Sequence, residues 1–345
     1  GIKGLRRDPG FTRPNFSDMS MLKYASSAAH VTGKPFTSSE TFTWLTEHFR
    51  TSLSQMKPDL DLMFSCGVNH MFFHGTPYSP RNVPWPGWQF YASVNMSPTN
   101  STWRDAPWLM SYIRRCQSFL QWGDPDNDFL VILPVKEMWK KDTRHPLMLF
   151  DIHSMDKKAP ELIRAIREID SLGYDCDYIS ERQLARAKKV GEQWITEAGT
   201  RYRGLIDPTK PIDSQALARL ANAEPMRTQL HLRAIRRRNG MGYHYFIANL
   251  TPNDVDSYVP LAVAWHDALW YDPLTGRRYA VEQRNGQLHV ALRSGESMIL
   301  QTFDRTLPQS LAALPLRALP GGQTKALDGP WQFAFEQSTP AVRRT

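Results

Sequence analysis

Up to Pro134 the chain repeats one order three times: a helix-period stretch, a glycine, then a short β-prone run. The helical stretches are "SMLKYASSAAHV", "DLDLMFSC" and "APWLMSYIRRCQSFLQW", stopped at Gly33, Gly67 and Gly123. A glycine just past a helix supplies the left-handed residue that ends it. The runs that follow, "KPFTSS", "NHMFF" and "DFLVILP", lack the alternation of a half-solvated strand and predict strands covered on both faces, as in a parallel sheet. Repeated units of this kind predict an α/β sheet or a (β/α) barrel.

Glu40 and His74 each stand seven positions after their glycine, at the carboxyl ends of the first two strands. In a (β/α) barrel that face carries the chemistry. On this reading Phe42 and Trp44 open a loop that walls the site. After His74, about thirty residues pass without a helix or strand pattern, a length that marks a working loop in a compact domain. Tyr78, Trp85, Trp88, Phe90, Tyr91 and Trp103 make this segment too aromatic for a disordered linker.

Beyond Pro134, "APELIRAIREIDSLG" predicts an amphipathic helix capped at Gly173, followed by strand "YDCDYIS", helix "ERQLARAKKVG" and strand "TRYRGLIDP". From about 226 the pattern turns to alternating β segments with turns at "DPLTG" and "RNGQ", a small antiparallel sheet. The expected division is 1–137, part of a barrel; 138–225, a short α/β domain; 226–305, the antiparallel domain; and 306–345, a linker and the start of a further β domain. The fold class is α/β plus β.

Composition narrows the function classes. The 345 residues carry a net charge of +8, but only "RAIRRRN" at 233–239 is a tight basic run, read as a solvated face rather than a nucleic-acid site. No apolar stretch reaches the ~18 residues of a membrane span, and the opening "GIKGLRRDPGF" is not a signal peptide. Cys66, Cys116 and Cys176 form neither a metal motif nor a disulfide framework and are expected as buried thiols. Eleven tryptophans, most between Trp44 and Trp139, suit a surface for flat ligands such as sugar rings. Walker, dinucleotide-binding, zincin and nucleophile-elbow motifs are absent from the sequence.

The stretches "KYASSAAHVTGKPFTSSETFTW", "GVNHMFFHGTPYSPRNVPWPGWQFYAS", "YIRRCQSFLQWGDPDNDFLVILPV" and "LGYDCDYISERQL" resemble glycoside hydrolase family 106, the α-L-rhamnosidases. The resemblance implies a (β/α) barrel with further α/β and β domains, inverting hydrolysis of terminal rhamnose, a calcium ion that helps hold the sugar, and a periplasmic or extracellular location. It places the general base on Glu40, through the pattern E-x-F-T. The family's general acid and a further glutamate lie in motifs that have no match here. Only three αβ units precede the change of character, against eight in a closed barrel. The expectation is therefore an open barrel portion, weakly active or inactive alone, with a non-catalytic carbohydrate-binding fragment as the alternative.

The residues fit sugar chemistry in different ways. Glu40 lies among Ser38, Ser39, Thr41 and Thr43, whose hydroxyls favour an ionised carboxylate. His74 reads either as a sugar ligand or as a buried structural histidine. Trp85 and Trp88 read as stacking platforms or as loop packing, and Tyr78 and Tyr91 lie in the same loop. His30 is read as structural and Asp105 as a helix N-cap. Glu137 and Asp151 are the weak candidates for a proton donor. No metal ligand is assigned.

Overall fold

The computed structural model describes residues 19–44, 49–141, 155–307, 314–315, 325–330 and 332. Helix α1 (Met19–Thr32), strand β1 (Ser38–Thr41), helix α2 (Leu53–Ser65) and strand β2 (His70–Phe73) form the first unit. Ser52 starts α2 through a reciprocal cap with Gln55. Gly67 ends it at φ 91°, where an added Cβ would come within 2.8 Å of the Ser26 side chain of α1. Strands β1 and β2 pair in parallel, with Ser38 opposite His70 and Glu40 opposite Phe72.

A long loop leads to a 3-10 turn (Ser101–Arg104) and helix α3 (Ala106–Leu120). Strands β3 (Asp124–Pro125) and β4 (Phe129–Leu133) follow, then helices α4 (Val135–Lys141), α5 (Met155–Lys158) and α6 (Pro160–Ser171) and strand β5 (Cys176–Ser180). After helix α7 (Glu181–Leu184) come β6 (Lys188–Val190), β7 (Gln193–Ile195), β8 (Arg201–Tyr202) and β9 (Gly204–Ile206). The helix expected over "ERQLARAKKVG" thus stops after one turn, and Lys188–Val190 joins the antiparallel meander β6–β7–β8. Strand β4 runs parallel between β5 and β9, and its residues Phe129, Leu130 and Val131 are fully buried. The third unit's strand is therefore not in the sheet of β1 and β2. Both parallel sheets are small, and neither closes on itself.

Helix α1 packs on β5. Lys23 donates to Asp175 at 2.7 Å, Ser27 donates to Asp177 at 3.1 Å, and His30 Nδ1 lies 2.9 Å from Asp177. His30 is structural, as expected.

Helices α8 (Ser214–Leu220) and α9 (Pro225–Thr228) lead into the β-rich part. Its strands are β10 (Arg233–Asn239), β11 (Gly242–Ala248), β12 (Val255–Val259), β13 (Asp267–Tyr271), β14 (Arg278–Ala280), β15 (Gln283–Arg284), β16 (Gln287–Leu292), β17 (Ser297–Phe303) and β18 (Leu314–Pro315). Seven strands form one sheet in the order β18-β14-β13-β17-β11-β10-β3, and β12-β16-β15 form a second. Along β11 the alternation divides two cores. Phe246 and Ala248 face α2 and α3, while Tyr245 and Ile247 join Val259, Leu288 and Val290 of the second sheet.

The basic run corrects the sequence reading. Arg236 is buried and paired with Asp126, Asp128 and Glu224; Arg233 pairs with Asp170; and Arg237 donates to the Trp122 and Gly123 carbonyls. Of its four arginines only Arg238 is exposed. All three cysteines are buried free thiols.

Candidate functional site

Glu40 lies in the last turn of the β1 pleat with an exposed side chain. Thr43 Oγ1 donates to its Oε2 at 2.9 Å, and no arginine pairs with it among the described residues. Of the four nearby hydroxyls, only Thr43 reaches the carboxylate. Ser39 and Thr41 donate to backbone carbonyls instead.

Phe42 makes the Thr43 contact possible. Its φ of 67° is a left-handed conformation that a bulky residue adopts only when its surroundings hold it there. Here the ring is buried in the core, 4.9 Å from Trp44 and 5.4 Å from Phe73. The chain therefore doubles back at the strand exit, which brings Thr43 onto Glu40. Phe42 is a core anchor, not a wall of the cleft, because the left-handed turn sends its ring inward. The sequence marked Phe42 as a wall of the site, and nothing in the pattern signalled its left-handed backbone.

His74 continues β2, its N–H donating to the Thr41 carbonyl at 2.8 Å. Period-2 alternation from the paired Glu40 and Phe72 places His74 on the same sheet face as Glu40. Its ring meets Phe90 edge-on at 4.8 Å, and its buried Nδ1 has no hydrogen-bond partner among the described residues. Among the described residues no hydrogen bond joins His74 to Glu40.

The loop is fixed by its own polar groups. Gly75 N–H donates to Ser93 Oγ at 2.6 Å, Trp88 N–H to Ser79 Oγ at 3.0 Å and Phe90 N–H to Asn95 Oδ1 at 3.2 Å. Tyr78 and Trp88 meet edge to face at 6.1 Å, and Tyr91 leans on Phe90 at 4.8 Å. Trp85 stands apart from them, stacked on Phe49 at 5.7 Å with its Nε1 donating to the Thr99 carbonyl. Tyr78 is 74% exposed, Tyr91 70% and Trp88 58%. These exposed aromatic side chains sit on a loop held by its own hydrogen bonds, and exposed apolar patches mark binding surfaces. Ser93 and Asn95, which hold the loop's base, gave no signal in the sequence.

Asp105 occupies the N-cap position of α3 but makes no side-chain capping bond, since its own backbone is helical. Glu137 is paired with Lys140 at 2.6 Å on α4, and Asp151 lies outside the described residues. Among the described residues no three His, Cys, Asp or Glu side chains gather to hold a metal. These side chains do not by themselves make a calcium site. No described helix is long and apolar enough to cross a membrane.

Comparison with known proteins gives this geometry a context. A rhamnosidase from Novosphingobium sp. PP1Y superposes with a TM-score of 0.56 and 15% identity, over 88% of this chain and 34% of its own. A Formosa agariphila protein named "Putative beta-glucuronidase" is 26% identical over 190 residues, which are 54% of this chain and 14% of that protein. The chain thus spans about a third of the one and a seventh of the other. The family profile described as alpha-L-rhamnosidase matches residues 12–223, more than half of the 345. The chain therefore belongs to glycoside hydrolase family 106, the alpha-L-rhamnosidase family.

Proposed function

We propose that the protein acts on terminal α-L-rhamnosides by inverting hydrolysis, with Glu40 as the general base. The observation that carries this reading is the exposed Glu40 carboxylate at a parallel-strand exit, oriented by Thr43 and, among the described residues, unpaired with arginine. An inverting base must be ionised and open to a water on one face of the sugar, and a second carboxyl about 6.5–9.5 Å away must protonate the leaving oxygen. No residue of this chain is assigned to that donor. The rings of Tyr78, Trp88 and Tyr91 suit the apolar face of a pyranose, and His74 suits a sugar hydroxyl. Trp85, already stacked on Phe49, would line the rim. The substrate is a rhamnose-containing glycan, and the site of action is periplasmic or extracellular.

In this reading β1 and β2, joined through α2, are neighbouring strands of a (β/α) barrel of which the chain holds a portion. The face bearing Glu40 also bears Phe72, 56% exposed, where a barrel interior would be filled. That open face favours a second reading, sugar binding without turnover. Nitrophenol release from nitrophenyl α-L-rhamnoside, with added calcium or a chelator, separates the two. Slow turnover is expected, lowered a further 10²-fold or so by Glu40→Gln. Turnover that Glu40→Gln leaves unchanged would remove Glu40 from the mechanism. Rhamnose binding with no turnover would establish the second reading.

A further inference from the structure

A hollow of about 490 Å³ lies between the end of α3 and the face of the seven-stranded sheet at β13 and β17, with Phe119, Trp122, Met241, Tyr271, Arg305 and Leu307 among its lining. This volume is within the ~300–1,000 Å³ of ordinary ligand sites. The hollow is not part of the Glu40 cleft. Asn69, just before β2, accepts from Gln121 Nε2 through its carbonyl and donates to the Leu120 carbonyl, so the end of α3 lies at the entry of that strand. Glu40 pairs three residues further on, roughly 10 Å along the strand.

The aromatic floor is fixed from behind by buried polar groups. The Trp122 ring stacks on His244 at 5.0 Å and 11°, leaving the residue 37% exposed. Arg237 donates to the carbonyls of Trp122 and Gly123 at 2.9 and 2.6 Å, which holds the backbone under the ring. His244 Nε2 lies 2.7 Å from the Phe119 carbonyl and Nδ1 lies 2.8 Å from Asn239 Nδ2, an arrangement that suits the neutral ring. Phe119 in turn rests on Tyr271 at 5.0 Å. Such preorganisation lowers the ordering cost of binding.

Ser118 and Gln301 of the lining are hydrogen-bonded within the protein, but three other polar groups of the hollow are open. Among the described residues Arg305 makes no hydrogen bond or ion pair, and neither Trp122 Nε1 nor Tyr271 Oη has a hydrogen-bond partner. An unpaired guanidinium beside fixed aromatic rings matches a carboxylate attached to a ring with apolar C–H faces. We propose that this hollow is a second carbohydrate site, separate from the Glu40 cleft, that holds a uronate residue of an acidic glycan. The carboxylate bonds to Arg305, the sugar face lies on Trp122 and Phe119, and hydroxyls meet Tyr271.

Titration calorimetry and saturation-transfer NMR with the methyl glycosides of D-glucuronic acid and D-galacturonic acid, their carboxylates free, and with methyl L-rhamnoside test this on the full chain. Binding of at least one uronate is expected, weakened by salt and by about tenfold or more in Arg305→Ala. Trp122→Ala is expected to abolish it, and Glu40→Gln to leave it unchanged. Arg305 is exposed, so its variant keeps the proposal testable should Trp122→Ala fail to fold. The proposal is overturned if neither uronate binds, if the neutral rhamnoside displaces a bound uronate as well as a second uronate does, or if Arg305→Ala has no effect.

Discussion

Two buried residues titrate in opposite senses and set how stability depends on pH. Burial pushes the His244 imidazole down to about 4, against a smaller opposing effect of its bond to the Phe119 carbonyl. Its stabilising contribution is complete above pH 6.5, where the unfolded histidine is neutral, and is lost as pH falls towards 4. Burial pushes Glu224 up to about 7, and Arg236, 3.5 Å away, offsets only part of this. A carboxyl raised in the fold destabilises its charged form, so its cost is absent below pH 4.5 and complete above 7. Each effect is on the order of 3 kcal/mol. Between pH 4.5 and 6.5 the two oppose one another in the native protein. In Glu224→Gln the glutamate's share is removed, and the urea midpoint should climb more steeply from pH 4.5 to 6.5 than it does in the native protein. An identical slope in the variant and the native protein would refute this assignment. The sequence offered Glu40 readily because a motif surrounds it. Arg236 was hidden because its partners at Asp126 and Asp128 are far along the chain: it reaches Asp126 across 110 residues, which turned an apparent solvated basic run into buried ion pairs.

At the scale of elements, helix α1 explains both what could be read and what could not. Its boundaries were legible from small helix-forming residues and the terminal glycine. Its packing partner was not, because the buried face is a polar stripe of Ser20, Lys23, Ser27 and His30 rather than an apolar one. That stripe meets Asp177 on β5 and Asp175 just before it, so the first helix serves the second parallel sheet. Burial alone would favour neutral lysine, but Asp175 and Asp177 more than compensate and raise the Lys23 pKa. Asp177 is held well below the usual carboxylate range by His30 and Lys23, which outweigh its own burial. Removing one member of a buried pair leaves an uncompensated charge, at a cost of about 3–5 kcal/mol. Lys23→Met should lose stability of that order in urea melts, and the double variant with Asp175→Asn should recover part of it. If the double variant loses the sum of two single effects, the two groups are not coupled as this contact requires.

The whole molecule is tied together by polar contacts that cross from one sheet to the next. Lys57 of α2 donates to Asp61, to the Gly295 carbonyl and to Ser297 of β17, while Tyr112 of α3 donates to the same Asp61. Arg236 of β10 joins the seven-stranded sheet to Asp126 and Asp128 beside β4. With α1 fastened to β5, each layer has buried charges whose partners lie in another layer. Opening one layer alone would strand those charges, which opposes partial unfolding. The three thiols report on this directly, since Cys66 ends α2, Cys116 lies on α3 and Cys176 lies on β5. All are buried, and burial pushes the Cys66 thiol up to about 12 and raises the other two, so none should react in the native state near neutral pH. Under rising urea, mass-resolved alkylation should label all three with one common midpoint. Labelling of Cys176 at a lower urea concentration than Cys66 and Cys116 would mean that the β5-β4-β9 sheet opens independently, and that the cross-layer ion pairs do not couple it to the rest.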